Sequence, residues 1–187
     1  MKNLKEIFEN LDKDLFFKKL NKKQELHLYN VLSSSDAVSA EVIEDMAKNK
    51  RFNIRILAAA SPLLSYETLK NFIENDIPSV AYASLRNKNL TKELIDIFLN
   101  RNLQEYMVHH FIKDLKNSDL LDFLFSHPKI KVLLQDKSKD IVYAFVNNKK
   151  TNNFILKYFY KDAKYNEDKY LLKSICRNPN WRLSEFE

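Results

Sequence analysis

The residues that could do chemistry are few, and their spacing is poor for it. His109 and His110 are adjacent, and neighbours on a helix point about 100° apart, so they cannot close on one metal ion as an i, i+4 pair can. His27 and His127 have no acidic or cysteine partner at ligand spacing. Cys176 is the single cysteine. It offers no intramolecular disulfide and no cysteine metal cluster, and it reads as a small buried hydrophobe. Glu41, Glu67 and Glu93 recur at one interval of 26 residues, which marks them as helix-start residues instead of an acid–base pair. Glu44, Asp45 and Asp162 read as solvated faces. The expectation is therefore no catalytic residue, no metal site and no cofactor.

Glycine is absent from the 187 residues, where usual composition would supply about a dozen. Phosphate-cradling loops, dinucleotide turns and the nucleophile elbow all need glycine at fixed positions, so those motifs are missing. Without glycine, asparagine is the expected residue for left-handed helix C-caps.

The net charge of +6 is localised. Residues 129 to 187 hold 13 Lys and Arg against 7 Asp and Glu, whereas residues 1 to 128 balance at 18 of each. In that basic third, Tyr158, Tyr160, Tyr165 and Tyr170 interleave with Lys157, Lys161, Lys164, Lys169 and Lys173. Such interleaving suits a single-stranded nucleic-acid groove. The plainer reading is a lysine-coated helix with buried tyrosine rings and wet hydroxyls. Further basic residues fall at expected turns: Lys48, Lys50 and Arg51, then Arg86 and Lys88, then Lys149 and Lys150, then Arg177. Stacked turns would align these into a positive ridge. The binding residues expected from both patterns are Arg86, Lys88, Lys149, Lys150, Lys157, Tyr160, Lys161, Lys164 and Arg177. Only six of the basic residues are Arg, against 25 Lys, which favours diffuse attraction over bidentate base readout.

The elements that must position these residues follow from a repeat. Val38 to Ala47, Leu64 to Ile73 and Leu90 to Leu99 superpose without a gap at a spacing of 26. Each opens with an apolar residue, then Ser39, Ser65 or Thr91, then a glutamate two positions later. The hydroxyl suits an N-cap and the glutamate suits the positive end of the helix dipole. The apolar residues at the fourth, seventh and eighth positions after the cap share one helical face. A partner helix precedes each segment, marked by Ile54 to Ala60, Val80 to Leu85 and Tyr106 to Ile112, with Asn53 and Ser79 as expected caps. Phe72, Phe98, Phe125 and Phe159 fall at or beside matching core positions. The spacing carries on through Asn117 to Phe125 and resumes, 34 residues later, at Thr151 to Phe159. Leu171 to Asn180 reads as a further first helix and its turn.

The turn-and-helix pattern, with Arg177-Asn178-Pro179-Asn180, Arg86-Asn87-Lys88-Asn89-Leu90-Thr91, Ser61-Pro62 and Ile54-Arg55, resembles the leucine-rich repeat variant and, more loosely, HEAT-like repeats of bacterial helical solenoids. The resemblance covers roughly residues 26 to 180. It implies an all-α fold, a right-handed α-α superhelix (solenoid) of about five to six helix-pair repeats of roughly 26 residues, and it carries no catalytic residue. The expected organisation is one solenoid domain over residues 1–187. Residues 1–27 would be an irregular cap, 28–125 regular repeats, 126–139 an insertion, and 140–187 divergent basic repeats with a C-terminal cap.

The apolar runs fall short of the roughly 20 residues that a bilayer span needs, and residues 1–6 lack the apolar run of a secretory signal. No membrane association and a cytoplasmic location are expected. The expected function is a non-enzymatic scaffold mediating protein–protein interaction, with a protein or peptide as partner. The alternative is nucleic-acid binding by the basic third, since DNA-repair glycosylases of HEAT-like architecture use a basic concave groove. No position of this chain matches their catalytic residues.

Overall fold

A computed structural model describes residues 38–101, 105–136 and 138–182. These form eleven α-helices and no strand, so the fold is all-α. The calls on residues 1–27 and on His27 lie outside the described residues. The described residues group into two compact units, one on each side of the boundary between residues 101 and 102.

The first unit holds α1 (Ala40–Ala47), α2 (Phe52–Ala59), α3 (Tyr66–Asn75), α4 (Pro78–Ser84) and α5 (Lys92–Asn100). α2 packs on α4 and α3 on α5, while α1 pairs with α2 and α3 with α4. Like helices thus stack on like, and the pairs close between the two rows. The apolar positions of the repeat supply the contact: Ile43, Leu69, Ile73, Leu94, Ile95 and Phe98 are all fully buried. Burying such side chains contributes about 1.5–3 kcal/mol each.

The caps follow the repeat in part. The hydroxyls of Ser65 and Thr91 accept from the backbone N–H of Thr68 and Leu94, and Glu41, Glu67 and Glu93 sit in the first turns of α1, α3 and α5. Ser39 occupies the cap position of α1 without a side-chain bond. Asn53 and Ser79 are not caps. α2 begins at Phe52 behind Arg51, and α4 begins with Pro78 at its first position, behind Ile77. Proline pre-sets the helical φ there and lacks an N–H that would have had no partner anyway.

The second unit holds α6 (Glu105–Asp114), α7 (Ser118–Ser126), α8 (Pro128–Gln135), α9 (Lys139–Asn147), α10 (Asn153–Tyr165) and α11 (Lys169–Arg177). α6, α9 and α11 stack in sequence, and α10 packs against both α9 and α11. Phe125, Phe145 and Phe159 meet with ring centroids 5.7–6.1 Å apart and form an aromatic core between α7, α9 and α10. Segment 126–139, expected as an insertion, contains α8. This helix is capped by His127, whose Nδ1 accepts from the Lys129 N–H, and it touches α7 and α9. Only Ile130 of α8 is buried, so its helical periodicity is faint.

The asparagines do not act as left-handed C-caps. Among the described residues, Glu167 alone has a positive φ, at 55°. The asparagines join successive turns instead. Asn87, 4% exposed, donates from Nδ2 to the carbonyls of Ala59 and Ser61 at 2.8 Å each, and its Oδ1 accepts from the Asn89 N–H. Asn148 repeats the arrangement on Ile112 and Leu115, and Asn178 repeats it on Val146 and Asn148. Each side chain supplies partners to buried carbonyls that a turn would otherwise leave unpaired.

A second kind of link holds the opposite turns of the first unit. Arg55 binds Asp76 through Nε and Nη2 at 2.7 and 2.8 Å and donates from Nη1 to the Asn49 carbonyl, while Arg101 donates to the carbonyls of Ile73 and Asp76. Burial alone would push the Asp76 carboxyl up. The Arg55 guanidinium, the Ile77 N–H and the charge of Arg101 outweigh it and hold the carboxyl below its usual value.

Candidate functional site

The polar groups noted in the sequence are mostly committed to the fold. Glu44 is not simply solvated, because its carboxylate accepts from the Ser65 N–H and the Thr68 hydroxyl, each at 2.7 Å, and so ties α1 to the cap of α3. Burial opposes ionisation of Glu44, but those bonds prevail and its carboxyl lies below the usual range. Asp122 accepts from the Asn152 amide at the cap of α10, and Glu105 accepts from the Ser138 hydroxyl at the cap of α9. Glu93 accepts from Tyr66, which together with slight desolvation pushes that phenol up to about 12. His109 and His110 stack side by side at 5.0 Å on α6. Among the described residues no group of three His, Cys, Asp or Glu is placed to hold a metal ion. Cys176 is exposed and not a core residue, because it is turned about 100° from Ile175 and about 140° from Leu171, the buried residues of α11.

The basic turns fall on two different kinds of edge. Lys48, Lys50 and Arg51 lie in the turn from α1 to α2, whereas the turn from α4 to α5 runs the other way within the first unit. Arg86 and Lys88 follow α4, Lys149 and Lys150 follow α9, and Arg177 ends α11. The single ridge expected over all of them is therefore not formed. Lys149, Lys150 and Arg177 are brought together within the second unit, since Asn178 and Asn180 donate to the carbonyls of Asn148, Lys149 and Thr151. Arg86 and Lys88 are exposed in the first unit, and Arg86 lies over the Tyr82 ring at 5.1 Å.

The remaining expected residues meet on α10, the longest described helix at 13 residues. Its buried side is Ile155, Leu156, Phe159 and Ala163. Lys157 and Tyr160 flank that side and are half-buried, and the Tyr160 ring lies 4.8 Å from that of Trp181. Lys161 and Lys164 are exposed. The far side carries Phe154, Tyr158 and Tyr165, exposed by 72%, 54% and 88%. Steps of four and seven residues put these three on one stripe with Lys161 between the two tyrosines. Tyr158 is partly supported from below by Phe125 and Phe159, at centroid distances of 5.2 and 5.4 Å.

α11 continues the surface. Asp168 caps it by accepting from the N–H groups of Tyr170 and Leu171. Lys169, Lys173 and Arg177 recur every four residues on its exposed side, beside Tyr170 at 82% exposure. Tyr165 and Tyr170 flank the three-residue connection between α10 and α11. The buried tyrosine rings of the plainer sequence reading are thus not found at Tyr165 and Tyr170. Phe154 was not among the expected residues, and its register with Tyr158, away from Ile155 and Phe159, was the signal for it.

The chain matches no protein-family model, no curated protein and no solved structure.

Proposed function

We propose that the chain is a non-enzymatic helical-repeat scaffold that works by binding, with its helix pairs continuing as a right-handed solenoid of about five to six units akin to the leucine-rich repeat variant. One observation carries this reading: the carboxylates and amides of Glu44, Asp76, Glu105, Asp122, Asn87, Asn148 and Asn178 hold the stack, while large aromatic side chains face outward on α10 and α11. Exposed aromatic surface on a regular core favours recognition over chemistry. A protein or peptide partner is the first form of this reading.

Nucleic acid is the second form, and the exposure of Tyr165 and Tyr170 among Lys161, Lys164, Lys169 and Lys173 favours it. Crosslinking in cells, comparing the wild type with a Tyr165→Ser/Tyr170→Ser variant and with nuclease treatment, separates the two. A nuclease-resistant protein adduct lost in the variant supports the first form, and a nuclease-sensitive adduct lost in the variant supports the second. Adducts unaffected by the substitutions would remove α10 and α11 from the account.

A further inference from the structure

The geometry points to the outer face of α10 and α11 as a binding platform for single-stranded nucleic acid, read by base stacking and backbone charge with little regard to sequence. This inference rests on the nucleic-acid form of the proposed function and names the strand type and the side chains that hold it. Phe154, Tyr158 and Tyr165 form one stripe about 16 Å long at 1.5 Å per residue, and Tyr170 stands exposed at the start of the next helix. Phe154, Tyr165 and Tyr170 are exposed by 72%, 88% and 82%, and Tyr158 rests on Phe125 and Phe159 with about half of its surface outside. Unpaired bases offer flat apolar partners that duplex DNA keeps stacked inside.

Charge complementarity supplies the second requirement. Between residues 149 and 177 there are eight Lys and Arg against three Asp and Glu. Of those three acids, Asp168 is half-buried and accepts from the α11 N–H groups, while Asp162 and Glu167 are exposed, so the cations keep an excess of five. Lys161 lies within the aromatic stripe, Lys164 beside it, and Lys169 and Lys173 along α11. That placement gives a phosphate chain exposed cations on the same two packed helices as the rings. Lysine, a point charge without arginine's fork, fits attraction to a backbone better than reading of base edges. An acidic protein segment would satisfy the lysines without needing Tyr165 and Tyr170, whereas a single strand would use both the charge and the rings.

The test is fluorescence anisotropy of the whole chain with a labelled oligo-dT, the matching duplex and poly-glutamate. Wild type should bind oligo-dT at least tenfold tighter than the duplex. Tyr165→Ser and Tyr170→Ser should each weaken oligo-dT binding by roughly tenfold, the order expected for loss of one stacked base, with circular dichroism and the unfolding midpoint unchanged because both side chains are at the surface. Lys161→Gln/Lys164→Gln should weaken binding to all three probes. Equal affinity for single strand and duplex would overturn the single-strand inference and leave the nucleic-acid reading standing. Failure to bind either nucleic acid would overturn both. Tight poly-glutamate binding that ignores the tyrosine substitutions, with oligo-dT no tighter, would assign the face to an acidic protein.

Discussion

Asn148 shows how one side chain can serve two turns. Its amide donates to the carbonyls of Ile112 and Leu115 while its Oδ1 accepts from the Lys150 N–H, and the residue is 4% exposed. Substitution by alanine leaves two buried carbonyls without partners, so Asn148→Ala should cost about 2–4 kcal/mol in urea unfolding. Asn89→Ala, which removes one exposed bond to the Pro62 carbonyl, should cost under about 1 kcal/mol. The sequence made these asparagines conspicuous and the reason for them invisible. Absence of glycine directs attention to the local backbone, whereas the demand comes from carbonyls of the preceding turn.

Glu44 and Asp76 set a pH dependence at the same scale. Both carboxyls are held below their usual values of 4.5 and 3.8 in the folded chain. A depressed folded pKa contributes stability that is present above the unfolded pKa and is lost as pH falls through the folded one. Urea midpoints should therefore be level above pH ~5 and fall as the pH drops through 4 and below. Glu44→Gln should flatten the upper part of that fall while lowering the plateau.

At the scale of elements, the helices whose caps and core both repeat were readable. α1, α3 and α5 carry Ser39, Ser65 and Thr91 at their starts and bury the same positions. α8 was not readable, because burying Ile130 alone leaves little period to detect. The starts of α2 and α4 were misplaced because Arg51 and Ile77 supply no side-chain cap, and the first turn of α4 is defined by Pro78 instead. α10 divides into a buried and an exposed aromatic side, and substitutions should tell them apart. Phe159→Ala, within the Phe125 and Phe145 cluster, should cost about 3–5 kcal/mol. Phe154→Ser should change stability by no more than about 0.5 kcal/mol. Thermal unfolding of the two variants checks the assignment, and equal losses would mean that the exposed stripe packs against something in the folded chain.

For the whole molecule, the sequence located the excess charge but not the aromatic side of α10 that stands beside it. Composition placed the excess in residues 129 to 187, while the aromatic stripe needed the rotation of α10, which follows from Ile155, Leu156 and Phe159 facing inward. No described helix is long and apolar enough to cross a membrane. If Lys161, Lys164, Lys169 and Lys173 neutralise phosphates, oligo-dT affinity should fall by roughly 50-fold between about 50 and 200 mM salt, following a slope of about −0.7 per contact for single strands.

The most direct test of the account is an NMR titration of the isotope-labelled chain with oligo-dT. The largest shifts should fall on Phe154, Tyr158, Lys161, Lys164, Tyr165, Lys169, Tyr170 and Lys173, with α1 to α5 unmoved. Shifts centred on α1 to α5, or none at a saturating strand concentration, would contradict it.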